Sequence, residues 1–212
     1  MAHPLIIVAE EKYKKLLSEE CRRIFSGTAM PSHDHRHHER VWENAALLIE
    51  RLYNSGVAGD GRLAEKGIIA AFFHDTGLTV NRGTDHGFES RKICSAFLSG
   101  TDIPEADRLE ILDAVEQHDN KEYPVSSDPA SLAAVISVAD DMDAFGANGI
   151  ERYEEIYSMR GIPAEEMPGL IVPNVLSRFR HLESTYYMFP DLVEEMRARA
   201  NTVINHFTAK AR

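Results

Sequence analysis

Cysteine is scarce in this chain. Cys21 and Cys94 are the only two, and they form no CxxC pair. A disulfide framework is therefore set aside, and two free thiols in a reducing, cytoplasmic compartment are expected. Basic residues are also in short supply: 23 Lys and Arg face 34 Asp and Glu, a net charge of −11. That balance argues against a nucleic-acid surface, which needs clustered cations to neutralise phosphates. It leaves room for a small anionic ligand at a locally positive site. Long apolar runs are missing too. The run near the start, Leu5–Ala9, is too short for a signal-peptide core or a membrane span, so no membrane association is expected. Alternating strand patterns, internal repeats and low-complexity tracts are likewise absent. What remains is an apolar content of 43%, enough to bury a real core, arranged almost everywhere at helical spacing. The fold class expected is all-α.

The periodicity predicts helices over Glu10–Phe25, from a cap at Ser32 or Asp34 to about Tyr53, and over Arg62–Asp75, Phe88–Leu98 and Glu105–His118. A central helix follows in SLAAVISVADDMDAF, apolar on nearly every side. Further helices are predicted over Ile150–Met159, Asn174–Phe189 and Asp191–Ala209. The stretch GIPAEEMPGLIVP, with three prolines in thirteen residues, reads as irregular. TGLTVNRGTDHG reads as an exposed polar loop.

Histidine is plentiful, with ten in the chain. The apolar run Ile68–Phe73 ends in an adjacent His74–Asp75 pair and then Gly77. Burying an ionised carboxylate without a partner costs several kcal/mol, or shifts its pKa until it is neutral. A metal ion that takes an imidazole nitrogen and a carboxylate oxygen together resolves the conflict. A helix end that reaches solvent, capped by Gly77, resolves it equally well. Other positions bear on the choice. His33, His37 and Val41 stand four apart on one apolar face. Asp140 lies on the Leu132–Ile136 stripe of the central helix, and Asp143 follows about one turn later. His118 continues the Ile111–Val115 face, with Lys121 just beyond it. His35 and His38 point away from that face and are expected in solvent. Helix bundles gather metal ligands from facing helices in this manner.

The order His37, His74–Asp75, Asp140 resembles the HD-domain superfamily of metal-dependent phosphohydrolases. Around the first histidine, S-H-D-x-x-H-x-x-R-V at Ser32–Val41 is similar to a bacterial subgroup of that superfamily. Around the last aspartate, A-D-D-M-D-A-F-G-A-N-G-I at Ala139–Ile150 resembles the same subgroup's A-D-x-L-D-A-x-G-A-x-G-I. The likeness covers roughly Ser32 to Arg152, and the C-terminal third carries no motif.

The resemblance implies a single-domain helical bundle. Residues 1–30 would supply an N-terminal helix packed on the domain, 31–160 the metal-binding core and 161–212 the helices that complete it. It makes His37, His74, Asp75 and Asp140 the metal ligands. Two nitrogens and two oxygens suit Mn, Fe, Co, Ni or Zn, one ion per chain. Asp75 and His118 are the catalytic candidates, and His118, His86 and His33 are candidates for leaving-group protonation or phosphate contact. His86 and His118 could instead hold a second metal. Lys121, Arg82 and Arg40 are the expected nearby cations, with Lys121 and Arg82 binding substrate. Asp34 and Asp143 would orient ligand histidines. The activity implied is hydrolysis of a phosphate ester, in a nucleotide or related small metabolite, by metal-activated water. A di-iron oxygenase of the same fold, or a regulatory module that keeps the ion without turnover, are the alternatives. Association as a homodimer stays open.

Overall fold

The computed structural model describes residues 3–28, 30–83, 85–120 and 128–210, and every regular element among them is helical. Nine α-helices follow one another among the described residues: α1 Pro4–Ile24, α2 His35–Asn54, α3 Leu63–Phe73, α4 His86–Leu98, α5 Glu105–Gln117, α6 Leu132–Asp143, α7 Gly146–Met159, α8 Met167–Thr185 and α9 Pro190–Lys210. Two tight helical turns, Pro31–His33 and Thr76–Thr79, precede α2 and follow α3. The chain divides into two compact units, Met1–Ala139 and Asp140–Arg212, with the boundary inside α6.

In the first unit, α3 is packed by α1, α2 and α5, while α4 lies on α5 and on the Thr76–Thr79 turn. The sequence explains why α3 is so enclosed. From Gly67 to Phe73 it has no polar residue and therefore no face suited to water, and every one of those residues is buried. α2 buries a broad surface, because His37, Val41 and Leu48 form one stripe and His38, Trp42, Ala45, Ile49 and Leu52 a second beside it. Asp34 starts α2: its carboxylate accepts from the Arg36 amide at 2.9 Å and satisfies one of the donors that every helix N-terminus leaves open. α1 begins at Pro4, earlier than the apolar periodicity predicts. Proline at the first position already has a helical φ, and the His3 ring caps the Leu5 amide. The N-terminal part of α6 is tied to α2 by Asn44, whose side-chain amide donates to the Ala139 carbonyl at 3.0 Å.

In the second unit, α9 packs against α7 and α8. α8 starts at Met167, seven residues before the expected Asn174. Pro168 fits the first turn, where an amide proton has no partner to lose. Pro173 inside the helix sacrifices one hydrogen bond, and the buried stripe Met167, Ile171, Val175, Phe179 and Leu182 holds the segment helical regardless. α7 also starts early, at Gly146 where Ile150 was expected. Among the described residues, no helix is long and apolar enough to cross a membrane.

A candidate metal centre at Asp75

Asp75 sits just past the end of α3, almost wholly buried, with histidines on both sides of its carboxylate. On one side, Oδ2 lies 3.3 Å from His37 Nε2 and 3.4 Å from His74 Nε2. His33, in the turn before α2, stands further off at 3.8 Å. On the other side, Oδ1 lies 2.9 Å from His118 Nε2 and 3.4 Å from His86 Nε2. His37, His74 and Asp75 offer donor atoms within 4.8 Å of one another, as do Asp75, His86 and His118. All these residues belong to the first unit.

Local structure aims each ring. His74 caps the C-terminus of α3, His118 caps that of α5, and His86 is the first residue of α4. In all three, Nδ1 meets the backbone carbonyl three residues earlier: Ala71 at 2.8 Å, Val115 at 2.8 Å and Gly83 at 2.9 Å. A carbonyl only accepts, so Nδ1 carries the proton and, in the neutral ring, Nε2 presents a lone pair to the site. Metal-binding histidines are held in this way, with the far nitrogen donating to a carbonyl. The helix C-termini at His74 and His118 also direct the negative end of the backbone dipole toward the cluster.

The lone pairs demand a cation. His86 and His118 face each other Nε2 to Nε2 at 3.4 Å, and His37 and His74 do so at 3.1 Å. For His86 and His118, whose Nδ1 atoms both carry the proton, two neutral rings would repel at that distance unless a proton or metal ion stood between them. Ligand atoms about 2.0–2.2 Å from one ion are themselves about 3.0–3.5 Å apart, the spacing found on both sides of Asp75. Electrostatics agree. Burial favours the neutral carboxyl of Asp75, but His74, His118 and His37 outweigh it and hold the group well below the usual carboxylate range. Burial pushes the His74 pKa down, favouring the neutral ring that a metal requires. Burial also opposes charge on His86, yet contact with Asp75 prevails and raises its pKa to about 9. These buried His and Asp groups can hold a metal ion.

No family model, curated protein or solved structure matches this chain.

Other expected residues fall in various places. Asp140 opens the second unit, buried, with Arg152 Nη2 at 3.4 Å from Oδ1 and Arg178 Nη1 at 3.1 Å from Oδ2. Asp143 accepts from Arg152 at 2.9 Å. Asp34 serves as the α2 cap already described. Arg82 is exposed and nothing joins it to the cluster among the described residues, Arg40 is half-buried, and Lys121 lies outside the described residues. TGLTVNRGTDHG is only partly an exposed loop: Thr76 and Gly77 are buried in the turn after α3, and His86 begins α4.

His38 corrects the sequence reading most clearly. It was expected in solvent, yet it is fully buried, because α2 is packed by both α1 and α3. Its Nδ1 lies 3.3 Å from the Ala71 carbonyl, and its Nε2 is buried without a hydrogen bond. Burial pushes its pKa well down, with the neighbouring His74 and His37 adding to the effect. His35 is half-buried at the start of α2.

The arginines on Asp140 were missed. Arg178 belongs to a polar row on α8, Asn174, Arg178 and His181, spaced four and then three apart beside buried Val175 and Leu182. That spacing was visible within the predicted Asn174–Phe189 helix, but nothing in the sequence pointed to its carboxylate partners on α6.

Proposed function

We propose that the protein is a metal-dependent phosphohydrolase that cleaves a phosphate ester in a nucleotide or related small phosphorylated metabolite. The observation that carries this reading is Asp75, ionised, buried and flanked by imidazoles whose Nε2 atoms are turned toward it by their backbone bonds. In the first unit the ligands would be His37, His74 and Asp75, imidazole nitrogens and a carboxylate oxygen that suit Mn, Fe, Co, Ni or Zn. Such an ion supplies Lewis-acid polarisation of a phosphoryl oxygen and lowers the pKa of water toward ~7. The ordered motifs in Ser32–Val41 and Ala139–Ile150 support the phosphohydrolase assignment by their resemblance to the HD superfamily.

The chain's own part is to position and to move protons. His118 keeps its Nδ1 proton on Val115, so its second proton, at Nε2 and 2.9 Å from Asp75 Oδ1, is the one it can give to a leaving oxygen. A screen of nucleotides and sugar phosphates, with Mn, Co, Ni or Zn added to chelator-stripped protein, tests the reading. Turnover should appear only with metal and vanish with chelator. Turnover that survives exhaustive chelation would overturn it.

A second reading rests on the group Asp75, His86 and His118. If that side also binds an ion, Asp75 bridges two, and a di-iron oxygenase becomes the competitor. Two irons per chain after expression with iron, together with oxygen consumption, would favour it over hydrolysis.

A further inference from the structure

His38 is a polar ring in an apolar setting. Phe25 lies beside it, at 5.0 Å between ring centroids, and Trp42 follows one turn along α2. The ring is 0% exposed, and its Nε2 makes no hydrogen bond among the described residues. A buried nitrogen left unpaired destabilises a fold, and an apolar side chain of similar size would avoid that cost. Stability therefore does not account for a histidine here. Its other nitrogen does. Nδ1 lies 3.3 Å from the Ala71 carbonyl oxygen, which also receives the Nδ1 proton of His74 at 2.8 Å.

A carbonyl oxygen has two lone pairs and can accept from both rings. Ala71 stands in the last turn of α3, where carbonyls lose their amide partners within the helix. His74 follows three residues later on the same segment, so its own bond ties ring to carbonyl without fixing either in the molecule. The second donor comes from a different helix, α2, and from the residue next to His37. The His38 ring centroid is 4.9 Å from that of His74 and 5.4 Å from that of His37. It therefore backs both imidazoles that meet at 3.1 Å on the Oδ2 side of Asp75.

We infer that His38 is a positioning residue, which holds the Ala71 carbonyl from α2 and through it the direction in which His74 presents Nε2. Both helices belong to the first unit. The consequence for metal affinity rests on the proposed reading of the cluster. The orientation of His74 is a property of the metal-free chain as well, and can be read there.

His38→Phe keeps a flat ring and removes the donor. His38→Asn restores a donor, because its Nδ2, like imidazole Nδ1, is bonded to Cγ. The chelator-stripped full chain is titrated with Co(II) and followed by visible absorption, with the metal-free Tm of each variant recorded alongside. In His38→Phe, cobalt binding should weaken about tenfold or more, the range seen when groups behind metal ligands are removed, and in His38→Asn it should return to within about threefold of wild type. The metal-free Tm of His38→Phe should be unchanged or higher, since the unpaired nitrogen is gone. His38→Leu takes its place if the larger ring does not fold. Wild-type cobalt affinity in the apolar variant would overturn the inference, as would His38→Asn binding no better than His38→Phe. Proton NMR of the metal-free chain reads the His74 Nδ1 hydrogen directly, assigned by its absence in His74→Ala. That signal should exchange with water faster in His38→Phe than in wild type or His38→Asn. Equal exchange in all three would also overturn the inference. A wild-type chain that takes up no cobalt would defeat the metal reading, and the exchange comparison would still decide the part of His38.

Discussion

His74, His86 and His118 are each committed to a direction by one backbone hydrogen bond, and this makes single substitutions informative. His74 supplies Nε2 to the Oδ2 side of Asp75 while its Nδ1 proton rests on Ala71. His74→Ala should abolish tight binding of one ion per chain, measured by elemental analysis after gel filtration, and any phosphatase turnover should disappear with it. His118 lies on the Oδ1 side. If it acts as general acid, His118→Ala should lower kcat by roughly 10²–10⁴ while the ion on the His74 side stays at full stoichiometry. Loss of a second equivalent of metal in the same variant would mark His118 as a ligand. At this scale the sequence was informative where polarity clashed with its surroundings: an apolar helix running into His74–Asp75, and His37 on an apolar face. It was misleading at His38. Helical spacing gives the direction of a side chain, but not how many neighbouring helices its own helix has to cover.

The approach of helices decides whether the Oδ1 side of Asp75 exists at all. His86 and His118 ride on α4 and α5, which pack closely because α4 has Gly87 at the contact. A Cβ there would lie 2.3 Å from the Glu116 carbonyl oxygen, a backbone atom that cannot swing aside. Gly77 plays the same part where the turn after α3 meets α4: a Cβ would stand 2.0 Å from the His86 carbonyl. Gly87→Ala should therefore separate α4 from α5 at an overpacking cost of about 1–3 kcal/mol. For a chain of this size each kcal/mol lowers Tm by about 2–4 °C. Gly59→Ala, in open space, is the control and should leave Tm unchanged. A Gly87→Ala protein that melts with wild type would show that the helices tolerate a wider gap than the structure implies. Most helices were legible from periodicity, within a few residues at their ends. The first two turns of α8 were not: Pro168 and Pro173 are strong local signals against a helix, and burial of a whole stripe overrides them. The close contacts at Gly77 and Gly87 were equally hidden, since a glycine in a loop and one at a helix start look the same whether or not a backbone passes within 3 Å of them.

At the scale of the whole molecule, helical spacing correctly implied the all-helical fold of the described residues, whereas the division at Ala139 falls inside a continuous helix that no linker or change of composition marks. Composition also raised the question of the two thiols. Cys21 and Cys94 are free and buried, and burial pushes both pKa values up. In the unfolded chain a thiol ionises near 8.5. A folded pKa above the unfolded one means that the associated stability is fully present below about pH 8.5 and is lost as pH rises beyond it. The slope is about 1.4 kcal/mol per pH unit for each thiol until the folded group itself titrates. Lysines and tyrosines titrate at higher pH in every variant, so the comparison must be internal. Denaturant unfolding of metal-free protein from pH 7 to pH 10 should show stability falling more steeply above pH 9 in wild type than in Cys21→Ala/Cys94→Ala, by up to about 2.7 kcal/mol per pH unit. A thiol reagent at pH 8 gives the kinetic counterpart, since only the thiolate reacts. The native chain should resist labelling, and both cysteines should react once it is unfolded. Equal pH slopes in wild type and the double variant, or rapid labelling of the native protein, would mean that the helices around these thiols open to water far more often than their burial indicates.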